Sequence, residues 1–305
     1  MSRPSSFVPP AGARAYALAT ARGEFAVVDA PVAAGVEPRG IALLLPGFTG
    51  SKEDFNLLHP ALGAHGYRTV AVDGRGQFES DGPQDDESAY AQEELARDVL
   101  AQAAAVGDGR PVHLLGHSLG GQIARAAVLL DVTPFRSLTL MASGPAQIST
   151  SQQQRVKLLR DALAVMSMAE VWEAMQALEA PEELDEGPVD REDLRRRWLH
   201  NKPAQLLATG RQLCTEPDRV AELAAAALPY HVLSGARDDT WPVPLLDEMA
   251  LRLGAHRTVV DGAEHSPNTD RPAPTAEAIA AFWESTDGQG AKTPRHPGRP
   301  SPGQP

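Results

Sequence analysis

Along the first half of the chain, apolar positions fall into short runs that alternate with stretches of helical period. Two strand-like segments, Ala13–Thr20 and Glu24–Val28, flank the turn signal Ala21-Arg22-Gly23. Ile41–Leu45 is an unbroken apolar run ending in Pro46-Gly47, the pattern of a strand buried on both faces. Ser51-Lys52-Glu53-Asp54 fits a capping box and predicts a helix to about Ala64, stopped by Gly66. Tyr67–Val72 reads as the next strand. Leu95, Val99 and Val106 recur at helical spacing within 89–106. Val112–Leu115 is a further strand, Leu119–Leu130 a helix and Phe135–Met141 a strand. Strand then helix, repeated, implies βαβ units and a parallel sheet.

At Ala146 the pattern changes. Residues 147–225 contain no convincing strand, only the helical stretches Gln152–Val165, Ala169–Leu178 and Arg191–Cys214, punctuated by Pro181, Gly187 and Pro188. Alternation then resumes with Tyr230–Leu233, Pro244–Leu253, Thr258–Val260 and Pro274–Trp283 as strand, helix, strand and helix. The economical reading is an α/β core in two parts, 13–146 and 226–287, interrupted by a helical cap at 147–225. Residues 288–305 are rich in Pro and Gly with scattered Lys and Arg. Such a composition buries too little apolar surface to offset its ordering entropy, so a disordered tail is expected there.

Composition narrows the function classes. The formal net charge of -12 repels nucleic acid and anionic membrane surfaces, so neither is expected as a partner. Cys214 is the single cysteine, which rules out an intrachain disulfide and is compatible with a reducing compartment. The N-terminal residues lack the apolar core of a secretory signal, and no run of about 18 apolar residues spans a bilayer. A cytoplasmic protein without membrane insertion is the expectation.

The chemistry begins at Gly116-His117-Ser118-Leu119-Gly120. This G-x-S-x-G run stands directly after a strand and before a helix, where a tight turn lifts the serine hydroxyl clear of the sheet. Flanking glycines leave room for the neighbouring strand and helix. The helix opening at Leu119 points its N-terminal N–H groups at the place where an oxyanion would develop. A serine hydroxyl needs a base, and His265 follows the strand Thr258–Val260 in Asp261-Gly262-Ala263-Glu264-His265. The base needs an acid to fix its tautomer. After Tyr230–Leu233 comes Ser234-Gly235-Ala236-Arg237-Asp238-Asp239, and one of these two aspartates is the candidate. The order serine, aspartate, histidine differs from those of the two well-known protease folds.

With these residues in view, about 13–285 of the chain resembles the capped α/β-hydrolases. The resemblance rests on Leu45–Gly50, Asp73-Gly74-Arg75-Gly76, Gly116–Gly121, Gly235–Pro242 and Gly262–Pro272. It implies the α/β-hydrolase fold, a mostly parallel sheet flanked by helices with a helical cap. In the family the acid stands three residues after the glycine that closes its strand, with a proline four residues beyond; Gly235, Asp238 and Pro242 match, so Asp238 is preferred to Asp239. His265, Pro267, Asp270 and Pro272 resemble the family's H-x-P-x-x-[ED]-x-P ending. The resemblance also places the oxyanion hole at the backbone N–H groups of Phe48 and Leu119, turning the Phe48 side chain toward the pocket; plain core packing is its alternative role. Asp73 and Arg75 read as structural turn residues. Two departures bear on pocket shape: Pro46-Gly47 stands where many relatives have His-Gly, and Phe78 replaces the second glycine of D-x-R-G-x-G-x-S. A serine nucleophile argues against the haloalkane dehalogenase and epoxide hydrolase branches, which use aspartate there.

These observations imply a serine hydrolase acting on a small-molecule acyl substrate, a small carboxylic ester, through an acyl-enzyme and without metal or cofactor. No Cys/His cluster, H-E-x-x-H or dinucleotide fingerprint is present. Thioester, lactone, amide and C–C bond hydrolysis and perhydrolysis use the same apparatus, because fold and triad do not fix the leaving group. A non-catalytic ligand-binding protein of this fold is the alternative from another class. Of Met166, Met168, Trp172, Met175 and Trp198 in the insertion, most are expected to pack between helices and one or two to line the pocket.

Overall fold

The computed structural model describes residues 3–178 and 191–290. Eight strands form one sheet: β1 (Arg14–Thr20), β2 (Gly23–Ala30), β3 (Gly40–Leu45), β4 (Tyr67–Val72), β5 (Val112–His117), β6 (Phe135–Met141), β7 (Tyr230–Gly235) and β8 (His256–Val260). Their order is β1-β2-β4-β3-β5-β6-β7-β8. The β1–β2 and β2–β4 pairs are antiparallel, and every other pair is parallel. This is the mostly parallel sheet of the expected fold.

The apolar run of β3 explains why the sheet is covered on both sides. Leu43 and Leu45 join Leu114 and Val72 under α2 (Gln92–Gly107) and α3 (Leu119–Leu130), contacting Val99 and Ala124. Ala42 and Leu44 belong to the core on the other face, with Leu115, Ala71, Leu62 of α1 (His59–Ala64) and Ile279 of α11 (Pro272–Gly290). Successive strand residues point to opposite faces, so a strand sandwiched between helix layers must be apolar at every position. Removing one such leucine side chain costs about 2–5 kcal/mol.

The chain leaves β3 toward β4 on one side and leaves its neighbour β5 toward β6 on the other. Loops after β3 and β5 therefore diverge, opening a crevice at the strands' carboxyl ends.

Two long helices expected from the sequence are divided. The segment from Ser51 forms a short 3₁₀ turn, Lys52–Phe55, and α1 begins only at His59 with Pro60 in its first turn. A continuous helix would place Pro60 in its interior, without an N–H and against the carbonyl of residue 56. Likewise Arg191–Cys214 is two helices, α6 (Arg191–His200) and α7 (Pro203–Thr215), because Pro203 starts a helix better than it continues one.

Between β6 and β7 also lie α4 (Thr150–Leu163), α5 (Met168–Leu178) and α8 (Val220–Ala224). Trp172, Trp198, Leu194 and Leu206 form the core of this segment, with Met166, Met168 and Met175 packed against it. Trp198 Nε1 donates to the Met168 carbonyl at 2.7 Å. The segment is tied to the sheet domain by an ion pair with both side chains fully buried, Arg197 Nη1 to Asp54 Oδ1 at 3.0 Å. Helix α9 (Val243–Leu253) covers β7, and α10 (Pro267–Asp270) precedes α11. The acidic run Glu182–Glu186 lies outside the described residues, as does the expected tail of 288–305 from residue 291 onward; its first three residues, 288–290, instead end α11. Among the described residues no helix is long and apolar enough to cross a membrane.

Candidate active site

Ser118 sits between the last residue of β5 and the first of α3, with φ 53° and ψ -118°. This positive φ is strained for a side chain larger than hydrogen. It persists because both sides of the turn are pinned: Ser118 N–H donates to the Met141 carbonyl at 2.9 Å, and Gly121 N–H to the Ser118 carbonyl at 3.0 Å. No larger residue fits beside it. A Cβ on Gly116 would come within 2.3 Å of the Gly120 carbonyl oxygen, and one on Gly120 within 2.5 Å of the Leu45 oxygen.

The loop after β8 brings His265 to this serine, with Nε2 3.1 Å from Ser118 Oγ. On its other side Nδ1 lies 3.0 Å from both carboxylate oxygens of Asp238, which follows β7. The Asp238 side chain is fully buried and is itself oriented: its Oδ1 accepts the N–H groups of Thr240 (2.8 Å) and Trp241 (3.1 Å). Asp239, the other candidate acid, is largely exposed and faces Gln152 and Arg155 instead. The three side chains named from sequence thus stand in one line of hydrogen bonds.

The histidine loop has further supports. Asp270 Oδ2 accepts the Glu264 N–H at 2.9 Å, and Asn268 Nδ2 donates to the Asp54 carbonyl at 2.8 Å. The motif residue Asp270 therefore acts on the backbone beside His265. His117 is a support the sequence reading missed. Its Nε2 donates to the His265 carbonyl at 2.9 Å, and the two rings lie 5.3 Å apart. Burial, and then the proximity of His265, push the His117 pKa down to about 4, so its ring is neutral at physiological pH. The signal available was its place as the variable residue before the serine.

The loop after β3 forms the opposite wall. Gly47 packs so closely that a Cβ there would be 3.3 Å from Ser118 Cβ, and Gln77 Nε2 donates to the Gly47 carbonyl at 3.0 Å. Phe48 follows, facing the cavity and packing on both the sheet core and the helical segment. Both roles considered for its side chain are realised together. The cavity over Ser118 and His265 measures about 330 Å³, and its lining includes Phe48, Ile148, Arg155, Val156 and Leu213. None of the five Met and Trp residues considered from sequence lines it; the pocket wall comes from α4 and α7 instead.

Asp73 and Arg75 are structural, as expected. Asp73 accepts the Lys52 N–H (2.7 Å) and Nζ (2.9 Å), while Arg75 pairs with Asp98. Burial raises the Asp73 pKa, the Glu53 charge adds to the rise, and Lys52 opposes both. Phe78, in place of the family's glycine, keeps the backbone a glycine would favour: its φ is 36°. Its ring is edge-on to Phe7 at 5.7 Å and under Lys52 Nζ at 4.8 Å, contacts that offset the strain.

Comparison with known proteins agrees with this fold. The profile described as "Alpha/beta hydrolase family" matches residues 42–278. A pimeloyl-[acyl-carrier protein] methyl ester esterase of Edwardsiella ictaluri is 29% identical over 254 residues, 79% of this chain and 92% of the relative. A 2-hydroxy-6-oxononadienedioate/2-hydroxy-6-oxononatrienedioate hydrolase of Cupriavidus pinatubonensis is 31% identical, over 68% of this chain and 71% of the relative. Among solved structures, a thermophilic esterase from Thermogutta terrifontis superposes with a TM-score of 0.71 at 20% identity, covering 90% of this chain and 99% of that one.

Proposed function

The chain belongs to the alpha/beta hydrolase family and is a hydrolase, and from that premise we propose that it cleaves a carboxylic ester with Ser118, His265 and Asp238 as catalytic triad. The observation that carries the reading is the continuous relay from Ser118 Oγ through His265 to Asp238, at 3.1 and 3.0 Å. In the acylation step His265 Nε2 takes the serine proton as Oγ attacks the ester carbonyl, and Asp238 holds the imidazole in the tautomer that can accept it. The tetrahedral oxyanion lies against the N–H groups of Phe48 and Leu119, the latter at the N-terminus of α3. His265 returns the proton to the leaving alcohol. Water then enters by the same route, and Ser118 is released from the acyl-enzyme.

The similarity to a methyl ester esterase over 92% of that relative supports an ester as the substrate. Helices α4 to α8 act in this reading as a cap, since α4 and α7 supply one wall of the cavity over the serine. The similarity to the Cupriavidus hydrolase favours C–C bond hydrolysis as a second reading. Hydrolysis of p-nitrophenyl esters from acetate to decanoate separates them. Ester turnover that disappears in Ser118→Ala supports the esterase reading, whereas turnover of a vinylogous 1,5-diketone with inert esters supports the second.

A further inference from the structure

Phe48 and Val156 each face two cavities. One is the cavity over Ser118 and His265; the other, also about 330 Å³, lies between α4 and α7. These two side chains stand between the cavities and pack against α7 at Gly210, which carries no side chain. A Cβ there would be 3.0 Å from Val156 Cγ1 and 3.3 Å from Phe48 Cζ. The second cavity is lined by Leu159, Leu163, Leu206 and Leu207 and by Lys157, Arg160 and Arg211, whose side chains are half or more exposed at its border.

No carboxylate lines it, although the chain as a whole carries a formal charge of -12. The carboxylates that do pair with these cations, Asp161 and Glu87, are outside the lining. An apolar slot bordered by cations and adjoining a nucleophile suits one chemical class: an alkyl chain that ends in an anion. Each methylene moved from water into such a slot strengthens binding about fourfold, and a terminal anion adds a charge interaction that salt weakens.

We propose that the cavity between α4 and α7 is the distal half of the substrate site. It takes the alkyl chain of an ester whose far end is anionic, the chain passes Phe48 and Val156, and Lys157, Arg160 and Arg211 hold the charge. The inference rests on the esterase reading above and names its substrate class.

The test compares kcat/KM for methyl half-esters of dicarboxylic acids with that for methyl esters of matched monocarboxylic acids, as chain length grows. Wild type is expected to favour the anionic member at least tenfold once the chain reaches past Phe48, and less so in 0.5 M salt. In the double variant Lys157→Glu/Arg160→Glu the ratio should fall at least tenfold. A matching series of ω-phosphono methyl esters distinguishes a terminal carboxylate from a terminal phosphate by which gives the larger ratio. Calorimetric titration with a free long-chain dicarboxylate supplies a readout that needs no turnover, and its binding should be lost in the double variant. Turnover of neutral esters with no anionic preference, or a preference that survives the double variant, overturns the distal site while leaving the esterase reading intact. Dicarboxylate binding abolished by the double variant supports the site even where esters are not turned over, and in that case the esterase reading is what fails.

Discussion

His117 offers a test in which one side chain has two separable consequences. It is buried and neutral, with its pKa lowered from 6.5 to about 4 by burial and then by His265. The unfolded chain takes up a proton near pH 6.5, but the folded protein does so only near pH 4. The unfolded state therefore binds more protons in that window, and stability falls as pH drops through it. The full difference corresponds to about 3 kcal/mol, present above pH 6.5 and lost by about pH 4. His117→Asn retains a donor and removes the titration, so its stability should change less with pH than wild type across this range, by up to about 3 kcal/mol in urea unfolding. His59 and His231, lowered by burial to about 4 and about 3, set a background that is the same in both proteins. The second consequence is kinetic. His117→Ala removes the donor to the His265 carbonyl and loosens the base, so kcat should fall ten- to a hundredfold, because small misplacements of a base are costly. His117→Asn should restore part of that loss. Equal acid sensitivity in wild type and His117→Asn would refute the titration argument, and an unchanged kcat in His117→Ala would refute the positioning role.

Further expectations concern the acid and the strained loop. Asp238→Asn should lower kcat by about 10³–10⁴, whereas Asp239→Asn, whose side chain faces Gln152 rather than His265, should lower it less than tenfold; the reverse order in steady-state kinetics would shift the acid by one residue. Phe78→Ala should be more destabilising than Phe78→Gly by about 1 kcal/mol, since only glycine is free of strain at that φ. Both should be less stable than wild type through the lost buried ring. Chemical denaturation in which Phe78→Ala is the more stable of the two would refute the strain assignment.

The central strands were legible because burial on both faces demands uninterrupted apolar runs such as Ile41–Leu45, a demand that few other elements make. The three candidate catalytic side chains were legible for a related reason: each follows a strand end, and the sheet brings its strands' carboxyl ends together. Helix boundaries near proline were harder to read. Pro60 and Pro203 restart helices where apolar periodicity runs on, so the residues from Ser51 to Ala64 and from Arg191 to Cys214 looked continuous. The pocket lining was illegible for a different reason. The large Met and Trp residues of the insertion pack against one another, and Val156 and Gly210, which shape the space beside Phe48, have no pattern that marks them. His117 escaped notice because its partner is a backbone carbonyl 148 residues away in sequence.

Covalent labelling tests directly whether Ser118 is a nucleophile activated by His265. Incubation with a fluorophosphonate followed by intact-mass and peptide analysis should show one adduct per chain on Ser118. The adduct should be absent in Ser118→Ala and form at least a hundredfold more slowly in His265→Ala. An adduct that persists in Ser118→Ala, or an unlabelled wild-type protein, would contradict the account.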